Sequence, residues 1–179
     1  MKLMTLPLRI LSFFRHTQDK YSNEYLSRRK LLDDVFKKSI EQDRPSISLE
    51  LLTSIMRAES QKNQFLSSIY FAGGQSDHPY FLNTENIAMG ISVLPEDKEK
   101  AGLSKKHPHQ IETIFVVEGS LRIFTDQLES SQILRLGDVF QIPKGVCHRI
   151  EPIDNKPATF IFVKTNPSQE PRGEDCSIH

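Results

Sequence analysis

Two spacings of apolar residues divide this chain. Between residues 19 and 42 the apolar positions Tyr21, Tyr25, Leu32, Val35, Phe36 and Ile40 recur mostly at steps of three, four and seven, with charges such as Arg28, Arg29, Lys30, Asp33, Asp34, Lys37 and Lys38 in the gaps. That periodicity predicts an amphipathic helix. Asp43-Arg44-Pro45 ends it, because the residue before a proline is pushed out of the helical region. Ser46 or Ser48 can cap a second helix, which Leu49, Leu52, Ile55 and Met56 carry to about Gln61. From there the period falls to two. Strands are predicted over 65–71, 87–93, 113–118, 121–125, 132–136, 138–142, 146–150 and 158–164. Short strands at this spacing suggest a sandwich or barrel. The chain therefore reads as a helical segment over 1–64 packing on a β-domain over 65–166. The polar, Pro- and Gly-containing tail over 167–179 reads as extended or disordered.

Two strands break the simple alternation. Thr113–Val117 and Thr159–Val163 are apolar on both faces. A sheet wetted on one side alternates, so something must cover the outer face here. The N-terminal helices or a second copy of the chain are the candidates, and a homodimer is expected. The first residues, with Leu6, Leu8, Leu11, Phe13 and Phe14, carry too many large apolar side chains for a free tail. Arg9 and Arg15 interrupt that run, so it is not read as a signal peptide. No window approaches the ~18 uninterrupted apolar residues of a bilayer span.

The chemistry lies in two segments. One is His107-Pro108-His109-Gln110-Ile111-Glu112, with Gly119 seven residues beyond the glutamate. The other runs from Gly137-Asp138 through Pro143, Gly145 and Cys147 to His148. Three imidazoles and a carboxylate on short strands suit a divalent transition metal. The second segment has fixed residues with separate tasks: Gly137 turns the chain into a strand, Pro143 and Gly145 shape the next turn, and His148 projects from the strand that follows.

These two segments resemble the two motifs of the cupins, over roughly residues 65–166. The resemblance implies a mainly β fold, a double-stranded β-helix barrel or jelly roll, here preceded by two or three α-helices. It implies one divalent metal (iron, manganese, nickel or zinc) held by His107, His109, Glu112 and His148. The cupin pattern usually leaves three or four residues between its second histidine and the glutamate, whereas only Gln110 and Ile111 separate His109 from Glu112. Glu112 is also the candidate proton carrier. Strand alternation then expects Met89, Ile91, Ile114, Val116, Val146 and Ile150 to line a pocket for a small organic molecule. Oxygenase and isomerase chemistries both occur on this scaffold. A non-catalytic small-molecule-binding or sensing barrel is the alternative.

Charge and cysteine content narrow the rest. The 23 basic and 23 acidic residues cancel, so no global field draws the chain to nucleic acid or an anionic membrane. Residues 1–64 contain no glycine for the turn of a helix-turn-helix. Cys147 and Cys176 are too few for a disulfide framework, which favours a reducing, cytoplasmic setting. Alternation puts Cys147 on the face opposite His148, where it reads as a small buried hydrophobe.

Overall fold

Ser48 has extended backbone angles, φ −72° and ψ 131°, and its hydroxyl accepts from the Leu51 amide at 3.3 Å. That satisfies one of the amides orphaned at a helix start. The helix it caps, α2, runs Leu49–Ser60, with Glu50 in the first turn and Arg57 in the last, each sign suited to its end of the dipole. In the computed structural model, residues 26–35, 37, 48–61, 67–72, 86–94, 104–166 and 173–178 are described. Residues 26–35 form a helix, α1, within the predicted span. The apolar N-terminal segment lies outside the described residues. No described helix is long and apolar enough to cross a membrane.

Among the described residues ten strands follow: β1 Ser68–Ala72, β2 Ile87–Leu94, β3 Lys105–Lys106, β4 Glu112–Glu118, β5 Ser120–Thr125, β6 Gln132–Arg135, β7 Val139–Ile142, β8 His148–Pro152, β9 Ala158–Thr165 and β10 Glu174–Asp175. They make two five-stranded antiparallel sheets, ordered β1-β2-β9-β4-β7 and β10-β3-β8-β5-β6. The eight longer strands are those the alternation predicts. The two-residue strands β3 and β10 are too short to show a period. Gly137 and Gly145 sit at φ 90° and 74°, as the turn reading requires.

Two apolar layers hold the molecule together. One fills the space between the sheets and includes Ile114, Val116, Leu121, Ile123, Val146, Phe160 and Phe162, with Ile150 packed against it. The other lies between the first sheet and the helices. It joins Leu31, Leu32 and Val35 of α1 and Leu52 and Met56 of α2 to Ile69, Ile91 and Val93. The helices thus cover the outer face of β1 and β2. Arg57 ties α2 to the barrel through Glu118, and its guanidinium also donates to the Thr159 hydroxyl at 2.8 Å.

This second layer corrects the reading of β2. Ile91, expected to line the interior pocket, is buried under the helices, and strand parity puts Met89 on the same outer face. The interior face of β2 carries Ala88, Gly90, Ser92 and Leu94. A Cβ at Gly90 would stand 2.4 Å from Phe162 Cζ and 2.4 Å from the Ile69 carbonyl oxygen. The small residues make room for the Phe162 ring. An alternating strand shows which face is apolar. It does not show whether that apolar face meets the barrel interior or a helix.

Across the outer face of the first sheet, strand register aligns Ile69, Ile91, Ile161, Phe115 and Val139 in one row. The helices bury its first two members. Phe115 and Val139, at 39% and 55% exposure, are open. Among the described residues, the double-faced apolar pattern of β4 and β9 is therefore answered only in part by the helices.

The C-terminal segment is extended rather than free where it is described. β10 pairs with β3, the Cys176 amide donates to the Ser104 carbonyl at 3.2 Å, and Cys176 forms a disulfide with Cys147. Cys147 is buried, as expected, but it is a cross-link and not a free hydrophobe. The pairing joins residues 29 apart in sequence, and only the fold shows that their positions meet.

Candidate metal centre

Glu112 opens β4, where register sets it opposite Lys164 of β9 on one side and Ile142 of β7 on the other. His148 opens β8 in the second sheet, opposite Thr125 and Lys105. His107 directly follows β3 in that sheet. Both sheets therefore contribute to one buried cluster. His107, Glu112 and His148 are 4–5% exposed and their ligating atoms all lie within 4.8 Å of one another. Glu112 Oε2 is 3.2 Å from His107 Nε2 and 3.4 Å from His148 Nε2.

The backbone fixes one imidazole directly. His148 Nδ1 faces the Val146 carbonyl oxygen at 3.3 Å, an acceptor that favours a proton on Nδ1, and the ring turns Nε2 toward Glu112. On the other side, the His107 carbonyl accepts from the Gly145 amide at 2.8 Å, joining the first motif to the turn of the second. Gly173 lies against the His107 ring, where a Cβ would be 2.6 Å from Cε1 and 2.9 Å from Nδ1. The C-terminal segment so closes one side of the site.

His109 stands apart from this cluster. The chain bends at Pro108 and His109, and the His109 side chain is exposed. Strand alternation back from Glu112 brings Gln110 inward, 1% exposed, and turns His109 out. The bend then returns His107 to the interior. His107 has four residues before Glu112, the separation that the cupin pattern allows, so this segment brings one imidazole to the cluster rather than two. Gln110 donates to the Asn166 carbonyl at 3.5 Å and helps fix the approach to β4. Among the interior residues expected around a pocket, Ile114, Val116 and Val146 are buried between the sheets and Ile150 packs against them.

The residue that the motif reading missed is Lys164. Its ammonium is 3.1 Å from His107 Nε2 and 3.7 Å from Glu112 Oε1, and the residue is only 8% exposed. The signal was present: Lys164 shares strand parity with Phe160 and Phe162, both interior. A lysine at the end of a β-rich apolar run is easily read as leaving the core.

Burial alone would push the Glu112 carboxyl up. The Lys164 charge, with the two imidazoles beside it, reverses this and holds it well below the usual carboxylate range. Burial would likewise lower the Lys164 ammonium, but the Glu112 charge and the Tyr70 hydroxyl raise it. The cluster thus holds an ionised carboxylate and an ammonium together.

The donor set fits a cation. Two imidazole nitrogens and a carboxylate oxygen point at a shared centre, and Glu112 Oε2 is buried without a well-directed hydrogen bond from either ring. Two imidazole nitrogens and a carboxylate oxygen gathered at one point are a donor set that suits a divalent transition metal.

A cupin domain profile matches residues 91–164, which hold Glu112, His107, His148 and Lys164. The barrel of this chain belongs to the cupin superfamily. A germin-like protein, subfamily 2 member 1, of Arabidopsis thaliana is 36% identical over 78 residues, covering 41% of this chain and 36% of the plant protein. This chain therefore spans about a third of that relative's length. Among solved structures, an RmlC-like cupin of Methanocaldococcus jannaschii aligns with TM-score 0.41 and 21% identity, over 50% of this chain and 79% of that one. A DMSP lyase of Ruegeria pomeroyi aligns with TM-score 0.44 and 21% identity, over 60% and 53%. None of these proteins lends its activity to this chain, because one cupin fold hosts many chemistries.

Proposed function

We propose that this cupin is a metal-dependent enzyme acting on a small organic molecule between its two sheets. His107, Glu112 and His148 would hold one divalent transition metal: iron, manganese, nickel or zinc. The convergence of three buried ligating atoms within 4.8 Å carries the reading. When bound, such an ion supplies Lewis-acid polarisation of a substrate oxygen. The chain's own residues do the rest. Val146 holds the His148 tautomer, Ile114, Val116 and Val146 exclude water, and Glu112, ionised at rest, would accept a proton only transiently. Oxygenase or isomerase chemistry fits this arrangement.

One observation favours the alternative, a non-catalytic small-molecule-binding or sensing barrel. Lys164 already balances the Glu112 charge, so the site can stand without a metal. Elemental analysis separates the two. Wild type dialysed against each of the four metals should retain one ion per chain, and His148→Ala should retain none. Wild type that retains no metal overturns the enzyme reading in favour of the binding module.

We also propose a homodimer formed through the open end of the outer apolar row, at Phe115 and Val139. The paired cysteines remove the free-thiol argument for a cytoplasmic setting, since such bonds are rare there.

A further inference from the structure

Position 105 precedes His107 by two residues, so strand parity gives it the same side. It carries a lysine whose ammonium pairs with Asp175. The group that completes the buried cluster comes instead from Lys164, on the strand beside Glu112. Nothing in the proposed chemistry requires a cation there, and a buried ammonium against an imidazole nitrogen is unusual enough to need a reason.

Its position is specific. Lys164 Nζ can donate to His107 Nε2 at 3.1 Å only if that nitrogen offers its lone pair. The same lone pair is the one a metal would take, and it cannot serve both. Glu112 faces the two imidazoles with Oε2, and its other oxygen, Oε1, lies 3.7 Å from Nζ, so the lysine sits beside the same carboxylate without occupying the oxygen turned to the rings. Register pairing of Glu112 with Lys164 keeps the lysine backbone beside the carboxylate, so the lysine cannot leave by a strand shift without flipping β9 inside out. In this same position the ammonium also has an aromatic neighbour. Nζ lies 5.3 Å from the centre of the Phe162 ring, and that ring packs edge-on against Tyr70 at 5.0 Å. An ammonium moved off His107 stays within reach of an aromatic face.

Resting on the metal reading above, we propose that Lys164 is a tethered cation standing in for the metal, which an incoming divalent ion must displace, so that Lys164 sets the affinity of the site. Two positive groups compete for the His107 lone pair and for the charge of Glu112. The metal-free protein remains satisfied, and only an ion that binds these three ligands strongly can enter.

The test is cobalt(II) titrated at one fixed pH into the metal-free full-length chain, followed by its visible ligand-field absorption. Lys164→Met, similar in length and uncharged, should bind at least tenfold tighter than wild type with an unchanged spectrum. Lys164→Arg keeps the charge and should bind no tighter than wild type. A residue that only supports the fold would weaken binding in both variants. If wild type and Lys164→Met both bind and the methionine variant is equal or weaker, this inference fails and the metal reading stands. Cobalt bound by the variant but not by wild type supports Lys164 as the group that holds the ligands, and at the same time overturns the metal-dependent enzyme reading of the native chain. No binding in either overturns the metal reading and this inference with it. Should the variants not fold, the Lys164 Nζ resonance of wild type gives the answer. It must shift when zinc binds, and an unmoved resonance with zinc in place overturns the proposal.

Discussion

The assignment of Gly90 to the barrel interior can be tested with one methyl group. In Gly90→Ala the added carbon would meet Phe162 Cζ at 2.4 Å and the Ile69 carbonyl oxygen at 2.4 Å. Phe162 lies in the close-packed interior, and Ile69 is a backbone group held in the β1–β2 pairing. The ring can turn aside, but the carbonyl cannot move without disturbing its strand. Overpacking a core costs about 1–3 kcal/mol, and two contacts this short belong at the upper end. Stiffening the unfolded chain returns about 0.4–1 kcal/mol. The net expectation is a loss of about 2 kcal/mol, or roughly 4–8 °C in Tm for a chain of this size. Urea denaturation of wild type, Gly90→Ala, Phe162→Leu and the double variant forms a thermodynamic cycle. The double variant should recover only part of the loss, because the Ile69 carbonyl remains. A neutral or stabilising Gly90→Ala would mean that position 90 faces outward. In that case Met89 and Ile91 would line the pocket as alternation alone suggests, and the helix-covered layer described here would be wrong.

Two further outcomes are expected. Glu112→Gln leaves the buried Lys164 ammonium unpaired, so at neutral pH the metal-free variant should be about 3 kcal/mol less stable than wild type. Because folding depresses the Glu112 pKa, its contribution is present above its ordinary value near 4.5 and lost as pH falls below it. The gap between the two denaturation curves should therefore narrow on acidification, and a gap independent of pH would show that the pair is not ionised. Light scattering should give a dimer for the full chain and a monomer for Val139→Lys, which puts a charge at the open end of the apolar row. A monomeric wild type would remove the dimer.

The sequence by itself determined the order and type of the long elements. Period-two alternation survives in β2, β4 and β9 because each buries at least one complete face. The cap at Ser48 is readable because its hydrogen bond spans three residues. The second motif is legible for the same reason: Gly137, Pro143 and Gly145 act on their own backbone, and His148 follows one turn later. What the tertiary structure decided is every question of which side faces what. Ile91 is apolar whether it meets a pocket or a helix, and only the packing of α1 and α2 shows that it meets a helix. His107 and His109 are equivalent imidazoles in sequence, and the bend at Pro108 chooses between them. Cys147 and Cys176 meet because β10 returns to β3. Lys164 joins the cluster because antiparallel register lays β9 against Glu112. The helix cover, the disulfide and the Lys164 contact join residues distant in the chain, and local propensity does not bring such residues together.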